Sequence, residues 1–201
     1  SVDDPSFGNR TMRQSMERHN FYGWQDYGDV PLDYEQFSDD AAGQMNLKYW
    51  FLHGMFVQLC RSGDLQWLDL ARPGAWHEAD IDFHHIPDEG PQHWVQGAYY
   101  GHSAHGEPGN INPNRNSNSP SNDLFFGVPD LLLGYYMTGE TRFRDTALEG
   151  LQGMLGLSEF NDLGLLTFQR DRANLILGMI EGYRQTGEAR WLTLLDRVIA
   201  S

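Results

Sequence analysis

The stretch from residue 77 to residue 85 concentrates more reactive side chains than any other part of the chain. His77, Asp80, Asp82, His84 and His85 form an H-x-x-D-x-D-x-H-H cluster, three imidazoles and two carboxylates within nine residues. Imidazole nitrogen and carboxylate oxygen together suit Zn or Mn, whereas Ca needs more oxygens than the cluster offers. In an extended segment alternate side chains share a face, so Asp80, Asp82 and His84 are expected to point together. His77, Asp80, Asp82 and His84 are therefore the candidate ligands of a divalent metal ion. A hydrogen-bonded acid–histidine network without an ion accommodates the same residues, and the spacing leaves both readings open. Proton transfer is a third use, since an acid beside a histidine can serve a glycosidic oxygen or a water. Glu78, Asp80 and Asp82 would supply one carboxyl of such a pair, and Asp26 or Asp29 the other.

A second concentration follows in H-W-V-Q-G-A-Y-Y-G-H-S-A-H-G, which holds His93, Tyr99, Tyr100, His102 and His105. Asn114, Arg115 and Asn116 come shortly after it. This inventory meets the needs of β-elimination on a uronic acid. A cation or hydrogen-bond donor offsets the carboxylate, a His or Tyr removes the C5 proton, and a Tyr or His protonates the departing O4. The candidate catalytic residues are His102, His105, Tyr99, Tyr100 and His84. Arg115, Asn114 and Asn116 are candidates for gripping a carboxylate, with Trp76, Trp94 and Trp24 as sugar-stacking rings. Trp24 lies in the aromatic, acidic stretch HNFYGWQDYGDVPLDYEQ, which equally suits simple packing.

These groups need a scaffold, and the rest of the chain reads as helical hairpins. FVQLCRSGDLQW, GYYMTGETRF and GYRQTGEARW share one pattern: an apolar helix, a small-residue turn with Gly and an acid, and an aromatic three residues after the acid. The turn glycines are Gly63, Gly139 and Gly187, at spacings of 76 and 48 residues. Repetition of this kind signals a stacked helical array. Glycine after a helix accepts the left-handed conformation that ends it, and the acid then favours the start of the next helix. The pattern predicts helices over 43–61, 65–72, 123–137, 141–157, 170–185 and 189–199, with Pro129 near the true start of the third. Residues 1–42 read as an extended lead-in, 43–75 as the first hairpin, 76–122 as a long functional loop and 123–201 as further hairpins. The loop holds six of the eight histidines, and loops of that length in compact domains usually bind or catalyse something.

Composition narrows the partners. The 201 residues carry 14 Lys plus Arg against 28 Asp plus Glu, a formal charge of −14 that repels nucleic-acid phosphates and anionic headgroups. An acidic ligand then requires local Arg, His, Asn or a metal ion. Forty per cent apolar residues suffice for a core in a single domain. No apolar stretch approaches the ~20 residues that span a bilayer, and SVDDPSFGNR is not a signal peptide. The sole cysteine, Cys60, is expected as a small buried hydrophobe, and His53 as a satisfied core histidine. The uncapped end in VIAS reads as a piece of something longer. Serine-hydrolase, P-loop and dinucleotide fingerprints are absent from the sequence.

The combination of YGWQDYGD, AWHEADIDFHH, GHSAHG and LLLGYYMTGETRFRDTALEGL resembles the catalytic helical domain of exo-acting rhamnogalacturonan lyases and their YetA-like relatives. More broadly it resembles the six-hairpin toroids of many glycoside hydrolases and polysaccharide lyases. The likeness runs from Phe21 to Leu157, and GYRQTGEARW fits only the general toroid pattern. It implies an all-α (α/α)6-toroid type of fold, here with about six of some twelve helices. It also implies a secreted or periplasmic protein acting on an acidic polysaccharide or oligosaccharide. By position, His77, Asp80, Asp82 and His84 match the acid–histidine stretch, and His102 and His105 the later histidine pair. The expected activity is a polysaccharide lyase on uronic-acid-containing chains. A toroid glycoside hydrolase with paired carboxylates and a non-catalytic glycan-binding domain are the alternatives.

Overall fold

A computed structural model of the chain describes residues 12–18, 20–22, 27–29, 50–86, 98–99, 127–156 and 169–200. Those residues form seven α-helices packed together, with one short strand pair. The helices are α1 (Met12–Arg18), α2 (Phe51–Ser62), α3 (Gln66–His77), α4 (Gly127–Thr138), α5 (Thr141–Gly156), α6 (Gln169–Thr186) and α7 (Ala189–Ala200). Except for α1 they pair as three hairpins, α2 with α3, α4 with α5, and α6 with α7.

The repeated turn explains the pairing. Gly63, Gly139 and Gly187 all take positive φ, between 68° and 77°, and their N–H groups donate to the carbonyls of Leu59, Tyr135 and Tyr183 at 2.8 Å. The preceding hydroxyls of Ser62, Thr138 and Thr186 donate back to the carbonyls of Gln58, Gly134 and Gly182. Each also accepts the N–H of the following acid, Asp64, Glu140 or Glu188. The glycine N–H, the N–H of the acid and a carbonyl of the last turn are thus satisfied within seven residues. The aromatic three positions on folds back as expected: Phe143 and Trp191 are fully buried, and Trp191 Nε1 donates to Thr186 Oγ1 at 3.0 Å. Gly134 and Gly182 make room for them, since an added Cβ on Gly182 would come within 2.6 Å of the Trp191 ring.

The first helices of the hairpins lie side by side, α2 on α4 and α4 on α6. The register of the first pair shows α2 and α4 parallel. His53 meets Asp130 and Cys60 meets Met137 across the first seam, and Tyr136 meets Gln185 across the second. Phe56 packs toward Gly134. Consequently α4 is buried on nearly every side at its start, from Gly127 to Leu132. Leu52, Phe56, Leu131, Leu132, Phe143, Leu151, Leu175 and Trp191 form the heart of the core. Each Leu or Phe contributes about 1.5–3 kcal/mol by leaving water.

Several expectations are corrected. Helix α3 does not stop at Arg72; it runs through Pro73 to His77 and continues as a π-helical turn, Glu78–Asp82. The stripe Leu70, Ala71, Gly74, Ala75 and Ala79 stays buried past the proline, and that burial offsets the ~3 kcal/mol cost of proline in a helix. Residues 78–82 are therefore not extended. Beyond them Phe83–His84 pairs antiparallel with Ala98–Tyr99, Phe83 opposite Tyr99, so the two histidine-bearing stretches are tied by backbone. Cys60 is exposed rather than buried, its Sγ 3.6 Å from Met137 Sδ, because Leu52, Met55, Phe56 and Leu59 form the buried stripe of α2. The expected residues 43–49 of the first helix lie outside the described residues, and α2 begins after Trp50, whose φ is 63°. Among the described residues no helix is long and apolar enough to cross a membrane.

Candidate active site

The first two hairpins bring their free ends to one side. The tight turns occupy one end of the array, so the end of α3 and the starts of α2 and α4 share the other. The acid–histidine cluster leaves α3 at that end.

Its geometry follows from the π-turn. Residues five apart on an α-helix diverge by about 140°, whereas a turn closed by i→i+5 bonds brings them nearly over one another. Asp82 consequently returns beneath His77, with Nε2 to Oδ1 at 3.4 Å, and Asp80 is carried to the opposite side. There Asp80 accepts from Arg142 Nε at 2.8 Å, a largely exposed pair. The expected common face of Asp80 and Asp82 is thus not formed.

His77 gathers two further partners from the N-terminal region. Gly28, with φ 95°, lies so close to α3 that an added Cβ would sit 2.3 Å from the Pro73 carbonyl oxygen. That approach delivers Asp29, fully buried, to 3.7 Å from His77 Nε2, and sets the Tyr27 carbonyl 3.2 Å from Nδ1. Burial works against an imidazolium here. The Asp82 carboxylate, by charge and hydrogen bond, then Asp29 and the Tyr27 carbonyl outweigh it and hold the His77 pKa up at about 9. Charged at neutral pH, His77 can donate through both ring nitrogens to these acceptors. Among the described residues no group of three or more His, Cys, Asp or Glu is arranged to hold an ion. Glu78, also buried, lies near Gly127 at the start of α4.

His85 is anchored separately. Its Nδ1 lies 2.7 Å from Glu149 Oε2, and its Nε2 lies 2.7 Å from the Ala79 carbonyl and 3.2 Å from Arg142. These contacts fasten the exit of the π-turn to α5.

Beside this cluster a groove of about 440 Å³ runs along α3 where residue 27 approaches it, lined by Tyr27, Leu68, Asp69, Arg72, Pro73 and Trp76. Trp76, half-buried, packs edge-on against Phe143 with centroids 5.1 Å apart. The exposed Arg72 guanidinium meets Glu140 at 2.6 Å, and Tyr27 is half exposed. An aromatic wall, an open phenol and a guanidinium are what a saccharide carrying a carboxylate would use.

His53 and Asp130 form a pair that the sequence reading treated differently or passed over. Asp130 Oδ2 accepts the His53 backbone N–H at 3.3 Å, and His53 Nδ1 stands 3.8 Å from Oδ1. Burial pushes the Asp130 carboxyl well above the ordinary carboxylate range, offset only in part by the His53 N–H. Burial also lowers His53, against the Pro129 carbonyl and the Glu181 charge. His53 is therefore not a fully satisfied core residue: its Nδ1 has no hydrogen-bond partner. The signal was present, since Asp130 is the lone charge in the run from Gly127 to Gly134. The groove was not legible, because the expected helix ended at Arg72 and left Pro73 and Trp76 outside it.

Of the expected site residues, Trp76, His77, Asp80 and Asp82 are placed as above. His84 and Tyr99 are fixed in backbone by the strand pair. Trp24, Trp94, Tyr100, His102, His105, Asn114, Arg115 and Asn116 lie outside the described residues. Comparison of the chain with protein-family models, curated proteins and solved structures finds no match.

Proposed function

We propose that this chain is a carbohydrate-active protein, three hairpins of an (α/α)6-toroid type of array, acting as a polysaccharide lyase on a uronic-acid-containing chain. The observation that carries the reading is the groove lined by Tyr27, Arg72 and Trp76, next to the point where the acid–histidine stretch leaves α3. The parallel register of α2 and α4, with α6 packed beside α4, supports the array. The strand pair between residues 83–84 and 98–99 supports joint action of the two histidine-bearing stretches.

In this reading Arg115, with Asn114 and Asn116, offsets the uronate carboxylate and so acidifies the C5 proton. A base from His102, His105 or His84 takes that proton as the C4–O4 bond breaks and the C4–C5 double bond forms. Tyr99, Tyr100 or the second histidine protonates the departing O4. Trp76, Trp94 and Trp24 supply stacking surface. His77 positions the segment bearing Tyr27 against α3 and takes no part in proton transfer.

The alternative is a toroid hydrolase with paired carboxyls, the kind of chemistry that a carboxyl raised by burial, as Asp130 is, would suit if substrate reached it. Incubation with uronic-acid polysaccharides separates the two. A lyase gives new ultraviolet absorbance from the C4–C5 double bond, lost in His102→Ala and His105→Ala. A hydrolase gives new reducing ends without that absorbance. Neither product from any acidic polysaccharide would overturn both.

A further inference from the structure

The first turns of α2 and α4 carry a second acid–histidine pair, at the end of the array where the acid–histidine stretch leaves α3. The His53 backbone N–H donates to Asp130 Oδ2 at 3.3 Å. That bond fixes the carboxyl, and its other oxygen, Oδ1, stands 3.8 Å from His53 Nδ1. Both atoms are shut away from water, and neither has another hydrogen-bond partner. Leaving such groups unpaired is costly, so a small turn of the ring that joins them is favoured once a proton lies between them. Asp130 supplies that proton, since burial keeps its carboxyl un-ionised. The His53 side chain is 31 % exposed although Nδ1 is covered, so its open edge is the one bearing Nε2. The Trp50 ring lies 5.3 Å from the imidazole, carried there by a backbone φ of 63° that is strained for a residue with a Cβ.

We propose that His53 is a catalytic acid of the sugar-cleaving reaction, passing a proton from Asp130 to the departing oxygen. As the bond to that oxygen breaks, its electron pair stays on the oxygen, which takes the Nε2 proton of His53. Nδ1 takes the Asp130 proton, leaving a carboxylate. Water then returns a proton to Nε2, and the Nδ1 proton goes back to Asp130. The resting tautomer with hydrogen on Nε2 is the one that a carboxyl donating to Nδ1 imposes. Contacts of this kind are often long in a free enzyme and tighten with substrate bound. Asp130 touches no substrate; it is a positioning residue that holds the proton in reserve. This inference rests on the carbohydrate reading above and gives His53 the role assigned there to Tyr99, Tyr100 or a second histidine. It applies to lyase and hydrolase alike, because both must protonate the oxygen that leaves.

Turnover of uronic-acid polysaccharide by the full chain tests it, followed by ultraviolet absorbance and by new reducing ends. His53→Gln should lower kcat about 10²–10⁴-fold, with calorimetric affinity for the polysaccharide changed less than about threefold. In Asp130→Asn the amide keeps an oxygen for the His53 N–H and can donate to Nδ1, yet it has no proton to release. Its kcat should fall about tenfold or more at nearly constant KM, a split that a merely structural role does not produce. A substrate whose departing group is a nitrophenolate needs no proton, and on it both variants should come within about tenfold of the wild-type rate. Wild-type kcat in either variant, or equal loss on both substrates, would overturn this proposal and leave the cleavage reading standing. No turnover of any acidic polysaccharide by the wild-type chain would overturn both.

Discussion

His77 ties the N-terminal region to the end of α3 through Asp29, whose buried carboxylate lies 3.7 Å from the His77 Nε2. The tie depends on charge, and charge on pH. The folded pKa, about 9, lies above the ordinary 6.5. Stability from this group is therefore complete below about pH 6.5 and is lost as pH rises through about 9. The shift corresponds to about 3 kcal/mol. Urea unfolding at about pH 6 and about pH 10 should show that loss in the wild-type chain, and His77→Gln should abolish the difference. Equal alkaline sensitivity in both proteins would show that His77 is neutral in the fold.

Gly28→Ala should be among the most damaging single changes. The new Cβ would meet the Pro73 carbonyl, which is backbone and cannot swing aside, at a residue with φ 95°. A cost of about 2–4 kcal/mol is expected from the clash and the left-handed backbone. Because Tyr27 and Asp29 would move with it, the His77 imidazole should titrate closer to 6.5 by NMR. Unchanged titration together with unchanged stability would contradict the close approach.

Asp130→Asn should be neutral or stabilising at pH 7. The carboxyl pKa is raised, so the native state binds the extra proton, and stability from this group declines as pH rises above the ordinary carboxylate range. Asparagine keeps an oxygen for the His53 N–H and removes that penalty. The advantage over wild type should shrink as pH falls toward 4, measured by thermal unfolding. A loss of about 3–5 kcal/mol at neutral pH would instead indicate an ionised Asp130 paired with His53.

The sequence was most readable where one residue type has one physical use. Gly63, Gly139 and Gly187 end helices because left-handed backbone suits glycine, and the hairpins follow from them. Helix boundaries near those turns fall within one or two residues of expectation, as for Thr141–Gly156 and Ala189–Ala200. Where two effects compete, the reading failed. Pro73 argues for a helix end, yet the small buried face of Gly74, Ala75 and Ala79 carries the helix onward. The alternation of Asp80 and Asp82 argues for a strand, yet the π-turn sends one to His77 and the other to Arg142. The sequence offers Asp29 only as one of two candidate second carboxyls; its contact with His77 depends on a tertiary approach at Gly28 that no local pattern encodes. The exposed Cys60 shows the same limit, since its surroundings are set by the neighbouring helix α4.

Calorimetric titration of the full chain with a uronate oligosaccharide and its neutral counterpart asks whether the groove beside the acid–histidine stretch holds an acidic sugar. Binding of the uronate alone is expected, weakened about tenfold by Arg72→Gln through loss of a charge-assisted contact and less by Tyr27→Phe. Equal affinity for both sugars, or uronate binding untouched by Arg72→Gln, would show that the groove does not recognise the acidic sugar.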